Sequence, residues 1–120
     1  AAPKRGDVVV YRHPADPSRV LIHRLVAFPG ESVELKDHKI FVNGLKRDED
    51  WAVRIRHYNS GKLAKRGMKP FVLPAGHYYV LGDNSARSED SRAWGALPRE
   101  NLIGRAYRIY YPFKRSGPVQ

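Results

Sequence analysis

No stretch of this 120-residue chain sustains a helical period over a dozen residues. Its apolar residues come in short β-branched runs, each punctuated by glycine or proline. "DVVVY" (7–11) follows Gly6 and reads as a strand, and "HPADPS" (13–18) as a loop. "RVLIHRLVAF" (19–28) reads as a second strand, stopped by Pro29-Gly30. "ESVELKDHKIFVNG" (31–44) alternates as a hairpin. Val33 and Leu35 lie on one arm and Ile40 and Val42 on the other, with turns at Asp37-His38 and Asn43-Gly44. Strand signals return at "FVLP", "HYYVLGD" and "LIGRAYRIYYPF". Such a pattern predicts a mainly β domain, a small barrel or sandwich. Between residues 46 and 69 the alternation dissolves into a charged excursion, read as an insertion on one edge.

The length suits one domain with a core of its own, predicted over residues 1–113, with 114–120 as a flexible tail. With no cysteine, neither a disulfide framework nor a thiolate zinc site is possible. His13, His38, His57 and His77 lie at no metal-ligand spacing, and no glycine pattern forms a phosphate loop, so no cofactor is expected. There is no apolar run of about 18 residues to span a bilayer, and the opening "AAPKRGD" is not a signal peptide. So abrupt a start suits either a compact domain or a piece of something longer.

The net charge of +10 favours anionic partners: nucleic acid, acidic lipid headgroups or an acidic protein. Residues 54–69 hold Arg54, Arg56, Lys62, Lys65, Arg66 and Lys69 and no acid, which by itself reads as a solvated basic loop. Tyr78, Tyr79, Tyr107, Tyr110 and Tyr111 suit strand packing better than a base-stacking platform.

Two features demand chemistry. "GDNSARSEDSRAWG" (82–95) packs two Asp, a Glu, three Ser and two Arg into one stretch. Read locally, it is a tight turn held by its own polar groups, with Asp90 and Arg92 close enough to pair. The other is His23, alone in an apolar strand, with Ile22 and Arg24 facing the opposite side. A histidine there is either a satisfied core residue or a proton carrier near neutral pH.

Taken together, "RGDVVVY" (5–11), "VLIHRLVAFPGESVEL" (20–35), "FVNG" (41–44) and "GDNSARSEDSRAWG" followed by "LPRENLIGRA" resemble the bacterial type I signal peptidases. The resemblance covers nearly the whole chain apart from the basic excursion and the tail. It implies a mainly β catalytic domain of a membrane-anchored serine endopeptidase, acting on signal peptides of exported preproteins at the extracytoplasmic face. It places His23 at the family's general-base position, normally Lys, and Ser88 at that of the serine orienting the base. Asp83 and Arg24, and Asp90 and Arg92, become pairs that structure the site.

Two departures bear on activity. The family's Ser-x-x-Pro nucleophile motif is expected upstream of "RGDVVVY", and Ser18, Ser32, Ser60, Ser85, Ser91 and Ser116 match no nucleophile position. The chain by itself is therefore expected to be inactive. Histidine for lysine is the other departure. Lysine accepts a proton only when burial lowers its pKa, whereas histidine needs no large shift. His23 is expected to bond Ser88, with Asp90 as the lesser alternative. The +10 charge suits an anionic membrane surface, with Trp51 and Phe71 dipping into the interface. The rival reading is a non-catalytic homologue that binds substrate or assists assembly. A nucleic-acid binder is disfavoured, because the acidic block would repel phosphate, and self-cleaving repressor proteases lack the Gly-Asp-Asn block.

Overall fold

In the computed structural model the described residues are 3–37, 39–54, 69–83 and 89–105. They form two antiparallel sheets. In chain order the strands are β1 (Val8–Arg12), β2 (Val20–Ala27), β3 (Ser32–Lys36), β4 (Lys39–Val42), β5 (Leu45–Lys46), β6 (Phe71–Val72), β7 (His77–Leu81), β8 (Leu97–Pro98) and β9 (Leu102–Arg105). Two short α-helices, α1 (Asp50–Arg54) and α2 (Ser91–Trp94), and a 3-10 turn at Arg99–Asn101 interrupt them. One sheet has the order β8-β7-β2-β1-β9 and the other β5-β4-β3-β6. The expected mainly β class is the one observed.

The β3–β4 hairpin forms where the alternation placed it. Val33 faces Val42 and Leu35 faces Ile40 across the pair, so all four side chains share one buried face. Asp37 (φ 52°), Asn43 (φ 52°) and Gly44 (φ 80°) take the left-handed backbone that tight connections demand. These four residues join Val26, Ala27, Leu73, Tyr79 and Leu81 in a core between the two sheets.

The opposite face of the five-stranded sheet carries a second cluster of Val9, Tyr11, Leu25, Tyr78, Val80 and Leu97. Register explains the division. Val9 pairs with His23 and Leu25 with Val80, while Arg24 pairs with Leu81. Successive side chains alternate faces, so His23 goes with Leu25 into the second cluster and Arg24 goes with Leu81 to the other side.

The first residues of the expected insertion carry regular structure. Lys46 belongs to β5, and residues 50–54 form α1, whose Trp51 packs against the core between the sheets. Trp51 also lies on Gly6 (φ 90°), where an added Cβ would sit 2.6 Å from the indole. The indole thus packs against core and turn. Residues 55–68 and the tail 114–120 lie outside the described residues.

Candidate active site

The polar block answers first to the backbone. Strand β7 pairs with β2 on one edge and with β8 on the other, but β8 reaches only as far as Tyr78. Beyond it, side chains take over. Val80 N–H donates to Ser91 Oγ (2.9 Å) and Gly82 N–H donates to Asp90 Oδ2 (3.1 Å). Buried amides need partners, and here Ser and Asp supply what a further strand residue would have supplied.

Asp90 also caps α2, accepting from Arg92 N–H (3.1 Å), and holds the Arg92 guanidinium through Nε (2.9 Å) and NH2 (3.2 Å). Both side chains are completely buried. Their bonds make that tenable, because a buried charge without partner or hydrogen bonds would cost several kcal/mol. Nearby, Arg24 clasps Asp83 through Nε (2.9 Å) and NH2 (2.7 Å), and its NH1 reaches the Gly6 carbonyl (2.9 Å). The structure thus brings together both arginine–carboxylate pairs named from the sequence.

His23, whose side chain leaves β2 on the face opposite to Arg24, is 1% exposed. Burial pushes its pKa down to about 4, with Arg92 adding to the fall, while Asp90, Asp83 and Glu89 oppose it. The ring is therefore neutral at pH 7. Its Nδ1 lies 2.6 Å from the Tyr11 hydroxyl. Tyr11 is buried too, and burial, with Asp90 and Glu89, raises its pKa so that the phenol keeps its proton. Thus the described partner of His23 is Tyr11, whereas the described bonds of Asp90 go to Arg92 and to Gly82. Ser88 lies outside the described residues.

Sequence reasoning missed three side chains. Tyr11 reads as one more strand aromatic, and only the register, which sets it opposite Leu21 and so diagonal to His23, reveals its role. Ser91 looks like a helix or turn residue until the free edge of β7 is counted. His13 is a third. Its Nδ1 accepts from Ala15 N–H (3.0 Å), so Nε2 carries the proton and donates to Glu89 (3.0 Å), which Arg19 also holds (3.3 Å). These contacts keep the Glu89 pKa low and tie the β1–β2 loop to the acidic block.

A two-sheet β domain with a buried histidine and two arginine–carboxylate pairs is the class that fold and site define. The chain matches the signal peptidase family, peptidase S26, over residues 1–111, and it belongs to that family. It is 35% identical over 120 residues to the chloroplastic thylakoidal processing peptidase 1 of Arabidopsis thaliana, covering 92% of this chain and 33% of that protein. Against the signal peptidase I of Leptolyngbya laminosa it is 35% identical over 125 residues, covering 98% of this chain and 57% of that one. The crystal structure of a signal peptidase I from Enterococcus faecalis superposes with a TM-score of 0.69 at 30% identity, covering 88% of this chain and 97% of that one. The chain thus spans between a third and three fifths of the length of these two curated relatives.

Proposed function

We propose that this chain is the catalytic β domain of a type I signal peptidase, a serine endopeptidase that releases signal peptides from exported preproteins on the extracytoplasmic side of a membrane. The observation that carries this reading is a buried neutral His23 within the matched family segment, on whose ring the charges of the clasped Asp83 and of the Arg92–Asp90 pair act. Peptide hydrolysis by serine needs a base to take the hydroxyl proton as oxygen attacks the scissile carbonyl, and an acid to return it to the leaving amine. His23 fills both roles in turn. It is uncharged at neutral pH, and the fields of Asp90 and Asp83 favour proton uptake as attack proceeds. Ser88 orients the base from the same block, and the two clasps hold the floor of the site.

No Ser-x-x-Pro occurs in the 120 residues, so the nucleophile comes from chain outside them. The catalytic domain extends over 1–113, with 114–120 as a tail. The basic stretch 54–69 meets anionic headgroups, each cation near the surface adding about 1 kcal/mol. Half-exposed Phe71 and exposed Val72 flank that stretch.

The test is cleavage of a preprotein by the full-length natural protein in vesicles, against the 120-residue chain alone. Full-length protein is expected to cleave, faster in anionic than in neutral vesicles, and the short chain is not. His23→Gln is expected to reduce the rate about 10²- to 10⁴-fold. Undiminished cleavage by that variant would remove His23 from the base position. Binding without cleavage by the wild type would leave a substrate-binding or assembly protein, and equal rates in both vesicle types would remove the membrane contact.

A further inference from the structure

The acids around His23 are already committed. Asp90 is held by Arg92 and Gly82, Asp83 by Arg24, and Glu89 by His13 and Arg19. In a Ser–His–Asp site a carboxylate meets Nδ1 of the histidine, fixing the ring and stabilising the imidazolium. At His23 the group occupying that place is the Tyr11 hydroxyl, 2.6 Å away and buried.

We propose that Tyr11 is the positioning residue of the His23 base: by engaging Nδ1 it turns Nε2 toward the site, and its oxygen accepts from Nδ1–H when the ring takes up a proton. This rests on the reading of His23 as the base. A hydroxyl can stand on either side of such a bond, unlike a carboxylate, which only accepts. With the ring neutral, the phenol can donate to Nδ1, which leaves the ring proton on Nε2. Proton uptake at Nε2 proceeds from the other tautomer of the neutral ring, whose one proton sits on Nδ1 and is donated to the phenol oxygen, leaving the Nε2 lone pair free. The serine hydroxyl proton then moves to Nε2, giving an imidazolium with both nitrogens protonated, and later passes to the leaving amine. Tyr11 stays protonated throughout, and burial enforces that.

The two senses differ in strength. A hydrogen bond from a charged donor is roughly twice as strong as its neutral counterpart, so Tyr11 favours the protonated ring over the neutral one. Asp90, Asp83 and Glu89 act in the same direction, and burial and Arg92 oppose it.

The experiment is an NMR titration of the His23 ring in the 120-residue chain and in Tyr11→Phe. The variant is expected to lower the His23 pKa by several tenths of a unit or more. It should also move the Nδ1 resonance at pH 7 toward that of an unbonded nitrogen. An unchanged or raised pKa would overturn the proposal. Should Tyr11→Phe fail to fold, the wild-type spectrum decides, because an Nδ1 resonance typical of an unbonded nitrogen at pH 7 overturns it equally. In the full-length enzyme, Tyr11→Phe should reduce kcat about tenfold, leave KM unchanged and shift the acid limb of kcat/KM to lower pH. Loss of cleavage in His23→Gln together with a His23 titration indifferent to Tyr11 would reject only the Tyr11 assignment. Retention of cleavage in His23→Gln would reject the base itself.

Discussion

The two faces of the five-stranded sheet are built on different principles. The face turned to the four-stranded sheet buries Val26, Ala27, Tyr79 and Leu81 against Val33, Leu35, Ile40, Val42 and Leu73. On the opposite side, Val9, Tyr11, Leu25 and Val80 accompany His23, and among the described residues the other buried polar side chains are His13, Asp90, Ser91 and Arg92. One face is held by volume and area, the other by apolar packing together with hydrogen bonds and ion pairs among buried polar groups. An apolar core degrades gradually as groups are trimmed. A buried ionic network fails abruptly, because removing one partner strands the other.

The sharpest way to break the comparison is Asp90→Ala. It removes the acceptor for Gly82 N–H and for Arg92 N–H, and it takes away the carboxylate that holds the buried Arg92 guanidinium. A loss of about 3–5 kcal/mol of folding stability is expected, read from urea or guanidinium denaturation of the 120-residue chain. A loss below about 1 kcal/mol would mean that solvent reaches Arg92 and that the second face is not dry.

The same contrast governs what the sequence disclosed. Period-2 alternation is a direct consequence of one buried face, so the β3–β4 hairpin, the Asn43-Gly44 turn that follows it and the mainly β class were legible from residues alone. Partners within a motif were legible too: Asp90 and Arg92 are two residues apart, and the family resemblance pointed to Arg24 with Asp83. Partners set by register were not. Tyr11 and His23 lie 12 residues apart and meet only because Val9 sits opposite His23. Helix α2 was read as a turn, since four residues give no period, and its Ser91 hydroxyl makes sense only once β8 is seen to stop short of Val80. The packing of Trp51 was not legible either, since Gly6, 45 residues earlier, leaves the room it fills.

Acid sharpens the comparison next. The His23 pKa falls from 6.5 to about 4 on folding, chiefly through burial. Between these values the unfolded chain binds the proton and the folded chain does not, so stability must drop as the pH falls. The contribution is fully present above about pH 6.5 and is lost as the pH descends through about 4, amounting to ~3 kcal/mol. The paired carboxylates Glu31 and Glu89 also have lowered pKa values, but their losses begin near their ordinary value of 4.5. The interval from pH 6.5 to 5 thus separates His23 from both. His23→Gln should flatten the stability profile there, measured by denaturation at successive pH values. A profile unchanged by the substitution would place the ring in contact with water.

Ile40→Val is the smallest test and probes the dry face. Ile40 is 1% exposed and stands opposite Leu35 across the hairpin. Deleting one methylene there removes area from the core and leaves a small void, at a cost of about 0.5–1.5 kcal/mol. No titratable group enters this term, so the cost should be the same at pH 7 and pH 5, by the same denaturation assay that detects the acid loss of His23. A cost that grew on acidification would show that protonation on one face of the sheet loosens packing on the other. The two faces would then form one cooperative unit, with the sheet between them too thin to insulate the core from the chemistry of the site.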